Sequence, residues 1–203
     1  MATVTRRRTI GPKDHGKKMR FTTFIQRSFE DGWLYELARG VIDVTEVPGP
    51  NHGRVVRRLA RLFILYNESH PGLITYGAGG GECRLRLPGM QSDRHPDQAV
   101  YLTPEPSGDQ VWSRWCPALV VEVVSRGGKK RDYVEKREEY LRFGVLEYWI
   151  LDLAQRKMLV LSRVGDTWEE SHVAPGGLHR TPLLPGLEVS PNELFGLNPN
   201  EAD

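Results

Sequence analysis

The run Ala118-Leu-Val-Val-Glu-Val-Val124 places one carboxylate, Glu122, inside an otherwise unbroken aliphatic segment. Such a run reads as a short buried β-strand. A lone ionised carboxylate there costs several kcal/mol, so the fold has to compensate it. Upstream, His95-Pro96-Asp97 reads as a second short strand with its own carboxylate. A hard cation shared by Asp97 and Glu122 would balance both, and paired carboxylates on neighbouring strands suit magnesium-dependent phosphodiester hydrolysis. Two plainer readings compete: Asp97 as a turn residue after proline, and Glu122 as half of a buried ion pair with an arginine.

The 203 residues suffice for one domain with a real core. No segment approaches the roughly 20 apolar residues of a membrane span, and no apolar run follows the N-terminal arginines, as a secretory signal would require. The two cysteines, Cys83 and Cys116, are far apart and form no CxxC pair. They point to a reducing, cytoplasmic setting without zinc. The formal net charge of +2 is uneven: residues 1–20 hold seven basic side chains against one acid. These residues read as a basic, flexible arm, and the body from 21 to 203 as one slightly acidic domain. Nucleic-acid binding therefore requires a local basic surface.

A short helix is expected within 21–30. Trp33–Leu37 and Val41–Val47 read as strands of a hairpin about Arg39-Gly40. Asn51 is a candidate cap for an amphipathic helix over about 52–67. That helix has Val55, Val56, Leu59, Leu62, Phe63 and Tyr66 on one side and Arg54, Arg57, Arg58 and Arg61 on the other. The arginine stripe is either a solvated face or a phosphate-contacting one. Further strands are expected at 73–76, 83–87, 97–102, 118–124, 148–152, 158–164 and 168–173. Gly77-Ala-Gly-Gly-Gly81 lacks the Gly-Lys-Ser/Thr ending of a phosphate loop and reads as a turn or bulge.

A second helix over about 129–143 stops at Gly144. Its pattern places Glu135, Glu138, Glu139 and Arg142 on one face and Tyr133, Val134, Tyr140, Leu141 and Phe143 on the other, with Lys136 and Arg137 inside the aromatic arc. Following the Glu122 strand, this helix can bring Lys136 over the strand end to stabilise transition-state charge, or let it snorkel to solvent. Antiparallel strands followed by strand–helix–strand imply an α/β sandwich with a mixed sheet flanked by helices.

Tyr35-Glu36-Leu37, His52-Gly-Arg-Val-Val, Pro96-Asp97, Leu119 to Ser125, Asp132 to Lys136 to Tyr140, Gly144 to Trp149 and Leu184-Pro-Gly-Leu187 occur in the order and spacing of a known pattern. On these segments the chain resembles the Uma2 family of restriction-endonuclease-like proteins, in the PD-(D/E)XK nuclease superfamily. The resemblance covers about residues 21–195. It implies a restriction-endonuclease-like fold and a metal-dependent endonuclease acting on nucleic acid, with DNA the expected substrate. Mg²⁺ or Mn²⁺ would bind Asp97 and Glu122. Lys136 would replace the lysine usually found two residues after the acid, where Val124 stands, and Glu36 would serve as auxiliary ligand or base. His52 would lie near the site, and Arg54, Arg57, Arg58 and Arg61 would contact the nucleic-acid backbone. A homodimer would suit a double-strand cutter. The chain departs from the family hairpin, Tyr-Glu-Leu-Ile-Asp-Gly-Glu, at Arg39 and Val41. That departure motivates an alternative, a catalytically degenerate module that binds nucleic acid or protein without hydrolysis. A third reading is hydrolysis of some other phosphodiester.

Overall fold

A computed structural model describes residues 8–174 and 176–197. Helix α1 spans Phe21–Phe24, and the hairpin consists of β1 (Trp33–Ala38) and β2 (Val41–Glu46). Helix α2 (Pro50–Ser69) is followed by β3 (Tyr76–Ala78), β4 (Leu85–Leu87), β5 (Ser92–Arg94) and β6 (Gln98–Tyr101). Then come α3 (Val111–Arg114), β7 (Leu119–Val124), α4 (Lys136–Phe143) and β8 (Glu147–Asp152). Strands β9 (Lys157–Val164) and β10 (Thr167–Val173), a small β11–β12 pair (His179–Arg180, Glu188–Val189) and α5 (Pro191–Phe195) complete the chain. Among the described residues no helix is long and apolar enough to cross a membrane.

The strands form a main sheet in the order β10-β9-β8-β7-β6-β3 and a smaller sheet in the order β2-β1-β5-β4. Among the described residues, only β7 and β8 pair in parallel in the main sheet, joined through the α4 crossover. This is the mixed sheet with flanking helices expected from the sequence, and the hairpin register runs from Trp33↔Glu46 to Ala38↔Val41.

The strand alternation sorts β7 between two cores. Leu119, Val121 and Val123 pack with Val55, Leu59, Phe63 and Tyr66 of α2 and with Trp149 and Leu151 of β8. Val120 and Val124 face the opposite way, toward Tyr140, Tyr148 and Ile150. Glu122 belongs to that second row and so points under α4.

Four sequence expectations need correction. Residues 8–20 are not a free arm: Ile10 is buried, its carbonyl accepts from Glu30 N–H, and Met19 N–H donates to Gly40. An apolar Ile10 and the open hairpin edge make that packing favourable, while Arg6 and Arg7 lie outside the described residues. Asn51 does not cap α2. Gly49 is the cap and Pro50 opens the first turn, which suits a residue without an N–H; Asn51 Oδ1 instead accepts from Arg54 Nη1 at 2.6 Å.

The arginine stripe also divides. Arg54, Arg57 and Arg61 are exposed, whereas Arg58 donates to the Leu194 carbonyl at 3.0 Å. Finally, residues Arg131–Glu135 form a π-helical turn, with Lys136 N–H bonded to the Arg131 carbonyl. The extra residue rotates the faces of the helix. Asp132, Lys136, Glu139 and Tyr140 turn inward, and Val134 is exposed. Gly144, at φ +110, ends the helix as expected.

Candidate active site

The site lies where the two sheets meet. His95-Pro96-Asp97 is the covalent link between β5 of the smaller sheet and β6 of the main one, so it sets Asp97 beside the central strand. Asp97 Oδ2 accepts from Val123 N–H at 2.8 Å and from His52 Nε2 at 3.1 Å. His52 projects from the first turn of α2, which Pro50 opens. Glu122 Oε1 is bonded by Lys136 Nζ at 2.8 Å and by the Tyr140 hydroxyl at 2.6 Å. Lys136 also lies 3.4 Å from Glu36 Oε1 and 3.7 Å from Asp132 Oδ1. Thus Asp97, Glu122, Lys136, Glu36 and His52 converge, as the sequence suggested. All five line one cavity of about 350 Å³.

Electrostatics favour a cationic lysine. Burial opposes the charge on Lys136, but Glu122, Glu36 and Asp132 more than offset it, and the pKa rises. Burial likewise works against ionisation of Glu36, yet the charges of Lys136, Arg94 and Arg131 hold its pKa well below the usual range. Glu122 is different. Burial, reinforced by Asp97, Asp132 and Glu36, pushes its pKa up to about 8 in spite of Lys136. The cavity is lined by more acids, Glu30, Asp31, Glu36, Glu46, Asp97 and Glu122, than bases, Arg84, Arg131 and Lys136.

Glu36 has both oxygens occupied. Oε1 accepts from His95 N–H at 2.8 Å, and Oε2 from Arg94 Nη1 at 3.1 Å. By contrast, Asp97 Oδ1 and Glu122 Oε2 accept no hydrogen bond among the described residues. No set of three or more His, Cys, Asp or Glu side chains is placed to enclose a metal among the described residues. Two free carboxylate oxygens in an electron-rich cavity nevertheless fit Mg²⁺, which keeps several waters and takes one or two carboxylates besides phosphate oxygens.

Several contributors escape sequence reasoning. Arg94 is fully buried and forms a two-pronged contact with Glu139, at 2.7 and 3.1 Å, while reaching Glu36. Arg131 reaches Asp43, Asp132 and Ser125 at 3.4, 3.3 and 3.2 Å. Tyr140 stands four residues after Lys136, the one signal that could have marked it.

The glycine run also has a structural use. Gly80 N–H bonds the Pro96 carbonyl at 2.8 Å, and a Cβ on Gly79 would lie 1.9 Å from the Asp97 carbonyl oxygen. Gly79→Ala is expected to overpack this junction by about 2 kcal/mol and to lower the midpoint of thermal unfolding by about 5 °C. A circular-dichroism melt checks it; an unchanged midpoint would contradict the close approach.

The hairpin departures lie elsewhere. Arg39 sits in the turn at φ +49 and donates to Glu138 at 2.7 Å. Neither Arg39 nor Val41 borders the cavity. A wider groove of about 1170 Å³ adjoins it, sharing His52 and Ser125 and bordered by Arg54, Arg126 and Lys129. Arg57, Arg58 and Arg61 do not border that groove.

Comparison with known proteins bears on the fold and the family. A solved structure titled as a putative nuclease belonging to DUF820 from Anabaena variabilis ATCC 29413 superposes with a TM-score of 0.68. It is 17% identical in sequence, and the match covers 88% of this chain and 98% of that one. At that identity the likeness establishes the fold. No curated protein matches the sequence. The family model of Uma2, described as putative restriction endonuclease, matches residues 21–192, and the chain belongs to that family.

Proposed function

We propose that the protein is a metal-dependent endonuclease that hydrolyses phosphodiester bonds of DNA, with Mg²⁺ or Mn²⁺ as cofactor. The observation that carries this reading is the meeting of Asp97, Glu122 and a protonated Lys136 in one cavity, with an oxygen of each carboxylate free. Asp97 and Glu122 would hold the cation, which would supply Lewis-acid chemistry toward the scissile phosphate.

The chain's own groups do the rest. His52 and Val123 N–H fix the Asp97 carboxylate. Tyr140 fixes Glu122. Lys136 remains protonated, so it acts as a fixed cation toward the phosphate rather than as a base. Glu36, with both oxygens committed, anchors Lys136 and keeps it from leaving toward solvent. Arg54, Arg126 and Lys129 line the adjoining groove and hold backbone phosphates without reading sequence. Arg57 and Arg61 contribute only to the surrounding positive field.

Calorimetric titration of Mg²⁺ and Mn²⁺, paired with incubation on supercoiled plasmid, tests the proposal. Wild type is expected to bind metal and nick, and Asp97→Ala to do neither. His52→Ala should bind metal about 10- to 100-fold more weakly, the usual effect of removing a partner that orients a ligand. Wild-type protein that binds DNA yet neither binds metal nor cuts would overturn the enzymatic reading and establish the binding module.

A further inference from the structure

The two sides of the cleft differ in chemistry. One side carries Arg54, Arg126 and Lys129. The other is the open end of the hairpin, where Trp33 is 38% and Leu34 46% exposed, and both border the cavity that holds Asp97 and Glu122. Leu34 shares its strand face with Glu36, two residues on. Trp33 opens the strand, paired with Glu46. Large apolar side chains at the rim of a carboxylate-lined cavity gain nothing from the cation or from phosphate. A nucleobase, flat and apolar on its faces, is the part of a nucleic acid that complements them.

Resting on the endonuclease reading above, we propose that Trp33 and Leu34 form a stacking lip for a nucleobase unpaired beside the scissile phosphate. The substrate class is then nucleic acid that is single-stranded or readily opened at the cut. Phosphates run along the Arg54–Lys129 side and bases turn toward the hairpin. A base buried in an intact duplex stack offers no face to this lip, whereas an unpaired one offers its whole π-surface. Leucine is also a side chain that wedges between base steps.

Fluorescence anisotropy with a labelled single-stranded oligonucleotide and its duplex, in Ca²⁺ over a series of salt concentrations, tests the lip. Wild type should bind the single strand more tightly. Trp33→Ala should lose about tenfold on the single strand, little on the duplex, and leave the salt dependence unchanged, because stacking releases no counterions. Trp33→Phe should restore most of the affinity and controls for folding; Leu34→Ser should follow the alanine variant. Duplex preference, equal losses on both substrates, or no loss overturns the lip while leaving the endonuclease reading intact. Absence of any nucleic-acid binding by wild type overturns both.

Discussion

Plasmid incubated with Mg²⁺ and the Glu122→Gln variant is expected to remain supercoiled. Glutamine keeps the size of the side chain and an oxygen for the Tyr140 hydroxyl, which donates at 2.6 Å, so the core under α4 stays filled. What disappears is the capacity to ionise when a cation binds, and with it half of the carboxylate pair available to that cation. Loss of several kcal/mol of transition-state stabilisation corresponds to a fall of at least about a thousandfold in rate. Lys136 does not become an unpaired charge, because Glu36 and Asp132 stand 3.4 and 3.7 Å from its ammonium. Thermal unfolding should therefore change little while cleavage is lost. Wild-type rates of nicking in this variant would remove Glu122 from the proposed chemistry.

The second large effect concerns stability. Arg94 is wholly buried and binds Glu139, itself wholly buried, through Nε at 2.7 Å and Nη2 at 3.1 Å. Its remaining nitrogen reaches Glu36. Arg94→Met should cost about 3–5 kcal/mol, since it strands a carboxylate in the interior. The midpoint of thermal unfolding should fall by about 10 °C. The double variant Arg94→Met/Glu139→Leu should recover most of that loss, because burial of the pair is itself expensive and an apolar pair of similar volume can replace it. Calorimetric melts of the single and double variants decide the matter. If the double variant is no better than the single, the ion pair is not the source of the loss.

The same buried charges explain what the sequence concealed. β7 and β8 were legible because each has a continuous apolar run, Leu119–Val121 and Tyr148–Leu151, and the hairpin because an Arg39-Gly40 turn separates two alternating runs. β5 was not. Its residues Ser92, Asp93 and Arg94 are polar, yet all three are buried. Glu139 falls with Glu135, Glu138 and Arg142 on one face of a uniform helical wheel, yet it is wholly enclosed. Hydrophobic periodicity reports burial only when the buried groups are apolar; paired charges carry no such signature. The π-helical turn compounds the problem, since a wheel drawn at uniform spacing misassigns the residues around it.

The two cavity carboxylates proposed to hold the metal were readable for the opposite reason. Glu122 is conspicuous as the one charge in an aliphatic strand, and Asp97 stands directly after His95-Pro96, just ahead of the next short strand. Lys136 emerged from its place after the Glu122 strand. Arg94, Arg131 and Gly79 depend on how the two sheets meet, and no local pattern encodes that.

The division of the site between two sheets has a consequence for the timing of synthesis. Groups leave the ribosome in the order Glu36, His52, Asp97, Glu122, Lys136, and the parallel neighbour of β7, residues Glu147–Asp152, comes only afterwards. A nascent chain that stops short of β8 holds every named side chain but lacks the partner that fixes the central strand. On the proposed reading, cleavage therefore waits on β8 as well as on the named side chains.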